Sequence, residues 1–110
     1  MYVRKALQSR SLKQYNASEV DTLVTSRNAL LLDVRSDAER RRGTIKGSVH
    51  IPLPALRSRM NELEKHKSKE IVCFCQSGSR STSAALLLNK NGYAAANLRG
   101  GMAEWKFAHR

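Results

Sequence analysis

The sequence predicts a three-layer α/β domain with a mainly parallel sheet and helices on both faces. Three observations carry that expectation. "ALLLDV" (29–34) and "EIVCF" (70–74) are unbroken apolar runs, as in strands covered on both faces, not strands with one wet face. These runs alternate with helix-like segments. The 110 residues suit a single core, and no repeat, low-complexity tract or linker divides them.

The elements follow in order. Residues 14–17 read as a short first strand. Ser18 is an N-cap candidate, with Glu19 and Asp21 in the first turn where acids suit the helix dipole. That helix should run to about Arg27, burying Val20, Leu23 and Val24 and exposing Glu19 and Arg27, with Asn28 ending it. The run 29–34 is the next strand, closed by Asp33. "SDAERRR" is a short helix capped by Ser36 and stopped by Gly43. A short strand near 48–51 precedes a second short helix in "LPALRSRMNEL". Residues 70–74 form a buried strand. Residues 79–91 form a helix with Ala84, Ala85, Leu87 and Leu88 on its apolar side and Gly92 as C′. "AAANL" is a last strand, and "GGMAEWKF" turns through glycine into a final helix.

Composition narrows the function classes. Hydrophobic content is 41% with only 5% aromatic residues, so the core is mainly aliphatic. No apolar run approaches the roughly 18–20 residues needed to span a bilayer, and no secretory signal is visible. Arg4, Lys5, Arg10 and Lys13 precede the first acid, so residues 1–14 are expected to be a basic arm and 15–110 the domain. The net charge of +11 predicts attraction to anions. Nucleic acid is not the expected ligand, because no RNA-binding aromatic signature or zinc-finger spacing accompanies the charge. His50, His66 and His109 have no metal-ligand spacing, and no metal is expected. Cys73 and Cys75 are too close for a structural disulfide to close a useful loop. A reducing, cytoplasmic compartment with free thiols is expected.

The segment "CFCQSGSRS" (73–81) holds the chemistry. A strand ends there, small and polar residues follow, and a helix begins. Ligands of open α/β sheets sit beyond such strand ends. Successive N–H groups in this turn can converge on one point, and the helix N-terminus adds positive potential. Gly78 permits a backbone conformation closed to other residues, and Arg80 supplies a fixed charge. A thiol at the centre should be thiolate at neutral pH. Cys75 is therefore the nucleophile candidate, set in an oxyanion-binding loop. Cys73, inside the apolar run, reads as core. Cysteine phosphatases place five residues between Cys and Arg; here four separate Cys75 from Arg80. The ring suits a persulfide sulfur better than a phosphoryl group.

At this point the chain resembles the single-domain form of the rhodanese-like sulfurtransferase family, from about Ser18 to Trp105. Four pieces carry the resemblance in the family's order: "LLLDVR" (30–35), "GTIKGSVHIPL" (43–53), "CQSGSRS" (75–81) and "LRGGMAEW" (98–105). It implies a five-stranded, mainly parallel sheet. It also implies a Cys75 thiolate that takes a sulfane sulfur from thiosulfate or a similar small anionic donor. The Cys75 persulfide then passes that sulfur to a thiol, a protein acceptor or, in vitro, cyanide. The N–H groups of Gln76, Ser77, Gly78, Ser79, Arg80 and Ser81 would stabilise the persulfide, with Arg80 binding the donor. No cofactor is implied. Asp33 and Arg35, at another strand end, are candidates for ordering the loop, with a scaffold ion pair as the simpler reading. Thr44 stands where the family often has histidine, at a position expected to be structural. The alternative is a non-catalytic module of the same fold whose basic surface recruits an acidic partner.

Overall fold

The computed structural model describes residues 12–109. Five strands form one sheet in the order β1-β5-β4-β2-β3, every pairing parallel. In chain order the elements are β1 (Lys13–Tyr15), α1 (Ala17–Thr25), β2 (Ala29–Asp33), α2 (Asp37–Arg41), β3 (Val49–His50), α3 (Leu53–Arg59), a 3₁₀ turn (Met60–His66), β4 (Glu70–Phe74), α4 (Ser79–Lys90), β5 (Ala95–Leu98) and α5 (Gly101–Ala108). The expected α/β class, parallel sheet and helices on both faces are all present. Residues 1–11 of the expected basic arm lie outside the described residues; Lys13 and Gln14, also assigned to it, belong to β1.

Alternation along β4 sorts the core into two layers. Ile71, Cys73 and Cys75 face a cluster with Leu56 of α3, Leu63 of the 3₁₀ turn and Ala84, Ala85 and Leu88 of α4. Val72 and Phe74 lie on the other side, in a cluster with Val20 of α1, Leu98 of β5 and Met102 of α5. Phe74, Ile71, Val72, Leu56, Leu63 and Leu88 are all 0% exposed. Burial of each large aliphatic or aromatic side chain stabilises the fold by about 1.5–3 kcal/mol.

Several local expectations shift. The first helix is capped by Asn16, not Ser18: Asn16 Oδ1 accepts the Glu19 N–H at 2.8 Å, and Glu19 Oε1 accepts the Asn16 N–H at 2.9 Å. That capping box needs its acid three residues after the cap, a spacing Asn16 satisfies. Val24 is exposed and Leu23 only half-buried, because the short helix faces the sheet mainly through Ala17 and Val20. Arg27 takes the left-handed conformation that closes the helix, at φ +63°. The second helix, α2, has the expected Ser36 cap, completed by Glu39 as a second capping box, but it buries no side chain. Among the described residues no helix is long and apolar enough to cross a membrane.

Candidate active site

Parallel pairing places the carboxyl ends of β2, β4 and β5 along one edge of the sheet. Cys75 follows β4 directly and is 1% exposed. Gly78, at φ +119°, turns the chain into α4 as its N-cap, with no side-chain cap bond. That turn folds two N–H groups back onto the thiol: Gly78 N–H donates to Cys75 Sγ at 3.1 Å and Ser81 N–H at 3.4 Å. Ser81 Oγ lies 3.3 Å from the same sulfur. Burial alone would push this thiol up. The Ser81 hydroxyl and the N–H groups of Ser81, Gly78 and Ser77 outweigh it and hold Cys75 below the ordinary thiol range.

The loop is braced from below and from the side. Cys75 O accepts the Met102 N–H at 2.9 Å and Gln76 O accepts the Ala103 N–H at 3.3 Å, so the first turn of α5 anchors the loop's backbone. Gly101 makes that approach possible: at φ +56°, a Cβ there would lie 2.3 Å from Cys75 O and 2.7 Å from Gln76 O. Ser81 Oγ is 2.5 Å from Asn97 Oδ1, and Asn97 Nδ2 donates to Gln14 Oε1 at 2.7 Å. A polar line thus runs from β1 through β5 to the helix that carries Ser81.

The expected site residues separate into four groups. Cys75, Gly78 and Ser81 meet at the sulfur, with Ser77 contributing. Gln76, Ser77 and Ser79 are exposed on the loop surface. Arg80 sits at the rim, where Nη1 and Nη2 donate to Glu39 Oε1 and Oε2 at 2.7 and 2.8 Å. Asp33 and Arg35 form a buried pair. Asp33 Oδ1 accepts from Arg35 N–H and Nε at 3.0 Å, and Oδ2 accepts from Arg35 Nη2 at 2.9 Å and Thr44 Oγ1 at 2.9 Å. Arg35 Nη2 also donates to Gly43 O at 2.7 Å, and its guanidinium lies 5.8 Å from the Phe74 ring centroid. Burial opposes ionisation of Asp33, but these donors prevail and lower its pKa. The pair therefore ties β2 to residues 43–44 and covers the residue preceding Cys75.

Cys73 is fully buried and free; burial, then the neighbouring Cys75, pushes its thiol far up. It packs in the core as expected. Among the described residues no group of three or more His, Cys, Asp or Glu side chains is arranged to hold a metal ion. Sequence reasoning missed two site residues, Asn97 and Glu39. An asparagine inside "AAANL" was the one available signal, because a polar side chain in a buried strand needs partners.

A family profile described as the rhodanese-like domain matches residues 16–108. The chain belongs to the rhodanese-like family. Its curated relatives include a sulfurtransferase of Allochromatium vinosum, 36% identical over 84 residues, covering 76% of this chain and 77% of the relative. A human thiosulfate:glutathione sulfurtransferase is 35% identical over 100 residues, covering 79% of this chain and 87% of that protein. Among solved structures, a rhodanese-related protein of Thermoplasma volcanium superposes with a TM-score of 0.80 at 28% identity, covering 87% of this chain and 92% of that one. Some matches are segments of longer proteins: this chain spans 16% of the Bacillus anthracis CoADR-RHD chain, at 36% identity and a TM-score of 0.78. Within this family fold, the 75–81 loop sets the Cys75 sulfur against the N–H groups of Gly78 and Ser81 at the carboxyl edge of a parallel sheet.

Proposed function

We propose that this protein is a sulfurtransferase working through a Cys75 persulfide. The observation that carries the reading is the convergence of the Gly78 and Ser81 donors on one buried sulfur, which favours the thiolate. With thiosulfate as donor, the Cys75 thiolate attacks the sulfane sulfur. A Cys75 S–S bond forms, the donor's S–S bond breaks with its electron pair, and sulfite leaves. The outer sulfur of the persulfide carries the negative charge. A thiophilic acceptor then attacks that sulfur and releases the Cys75 thiolate; cyanide gives thiocyanate, and a thiolate gives a new persulfide. No metal or organic cofactor enters either step. The relative named for thiosulfate and glutathione supports a small anionic donor and a thiol acceptor. The short loop, with four residues between Cys75 and Arg80, favours sulfur over a phosphoryl group.

The deciding experiment is intact mass after brief exposure to thiosulfate or another sulfane donor, for wild type and Cys75→Ser. Wild type is expected to gain one sulfur that cyanide removes, and Cys75→Ser to gain none. Sulfur transfer undiminished in Cys75→Ser would sink the mechanism. No sulfur gain by wild type from any donor, with unchanged binding of an acidic partner after Cys75 is blocked, would favour the binding module.

A further inference from the structure

Arg80 does not offer its charge freely to the pocket. Both terminal nitrogens donate to Glu39, at 2.7 and 2.8 Å, a bidentate geometry that is among the stronger charge-assisted contacts. Glu39 is itself fixed from behind. Its Oε1 accepts from the Ser36 N–H and the Ser36 hydroxyl at 3.0 Å each, while Ser36 Oγ accepts the Glu39 N–H at 3.2 Å. The helix carrying Glu39 buries no side chain. Polar contacts place it: Glu39 to Arg80 at one point, and Arg40 Nη2 to Ser48 O at 2.9 Å at another. Arg40 cannot replace the neutralised charge, because its other terminal nitrogen lies 3.4 Å from Asp33 Oδ2.

Resting on the sulfurtransferase reading above, we infer that Glu39 sets the charge of donor the site accepts: it competes for Arg80 and so discriminates against dianionic donors relative to monoanionic ones. Glu39 takes two of the five guanidinium N–H groups, and the guanidinium also interacts with Cys75, so it still faces the sulfur where a donor would sit. The carboxylate neutralises much of the guanidinium's charge, however, so a second negative charge on the donor gains little attraction there. Thiosulfate is a dianion; an alkanethiosulfonate carries one charge and the same sulfane sulfur. Both react alike at Cys75, one releasing sulfite and the other an alkanesulfinate. Glu39 is a specificity residue acting through Arg80, with no part in the bond changes.

The test compares kcat/KM for thiosulfate and methanethiosulfonate, with cyanide as acceptor, in wild type and Glu39→Gln. Glutamine keeps the capping box, so α2 keeps its start, and thermal unfolding of the variant checks the fold. The thiosulfate-to-methanethiosulfonate ratio is expected to rise roughly threefold to tenfold. The change should lie in KM for thiosulfate with kcat unmoved, and it should vanish in an Arg80→Ala background. An unchanged ratio, or equal losses for both donors, would overturn the inference while leaving the persulfide cycle standing. A wild type that takes sulfur from neither donor would remove the sulfurtransferase reading and this inference with it.

Discussion

Ser81 carries one hydroxyl proton and reaches three acceptors: Asn97 Oδ1 at 2.5 Å, Gly78 O at 3.1 Å and Cys75 Sγ at 3.3 Å. Ionisation of Cys75 changes that competition, because a charged sulfur is the stronger acceptor. The Ser81 hydroxyl is therefore worth most in the thiolate form and lowers the thiol pKa. Activity that requires the thiolate rises with pH through this lowered pKa and is level above it. In Ser81→Ala that limb is expected to move up toward the ordinary thiol range of about 8.5. Transfer at pH 6 should fall roughly tenfold, the cost of one hydrogen bond to a charged group. Thiolate absorbance against pH and the pH–rate profile both read the shift, and an unmoved limb would assign the lowered pKa to the backbone donors alone. Cys75 and the loop residues were legible because their order along the chain is itself the motif. Glu39 and Asn97 were not: Glu39 lies 41 residues from its arginine and Asn97 lies 16 from its serine, so only the folded chain pairs them.

At the scale of elements, α5 does more than cover the sheet. Its first turn donates to Cys75 O and Gln76 O and so holds the loop from its backbone side. Gly101→Ala would drive a Cβ to 2.3 Å from a carbonyl oxygen, at φ +56°. Neither contact atom is a side chain that could swing away. Strain and overpacking together are expected to cost about 2–4 kcal/mol. Urea unfolding should show that loss, and the surviving folded protein should transfer sulfur poorly. A variant with wild-type stability would show that the loop's backbone yields easily. The "GGMAEW" motif was readable as a turn into a helix, but its role as the loop's anchor was not, because hydrogen bonds between distant backbones leave no mark on side-chain pattern. Strand and helix identities followed from apolar runs and glycines. Cap positions slipped where two acceptable residues, Asn16 and Ser18, stood two apart, each with an acid three residues on, Glu19 and Asp21.

For the whole molecule, the large excess of basic residues makes every ionised carboxylate with a partner matter in acid. Asp33 has a pKa lowered by Arg35 and Thr44 against the burial that opposes it. Arg80 first, then Ser36, lowers Glu39 from 4.5 to about 2. Folded-state values below unfolded ones mean that the folded chain binds fewer protons in this window. The stability these groups supply is complete above about pH 4.5 and is lost as pH falls toward 2. Denaturant midpoints should be level above about pH 4.5 and fall from there toward pH 2, with a shallower fall in Glu39→Gln; a flat profile would count against both assignments. The surroundings of Cys75 are likewise assembled from the whole chain. Gln14 and Asn97, 83 residues apart, complete the polar line to Ser81, and Met102 and Ala103 hold the loop that begins at Cys75. No contiguous stretch contains these parts. Gln14 precedes Cys75 in the chain, while Asn97, Met102 and Ala103 follow it, so the contacts close around the sulfur from both directions. The bracing around this sulfur is thus a property of the folded domain and not of the loop's own sequence: residues far before and well after Cys75 must come together to complete it.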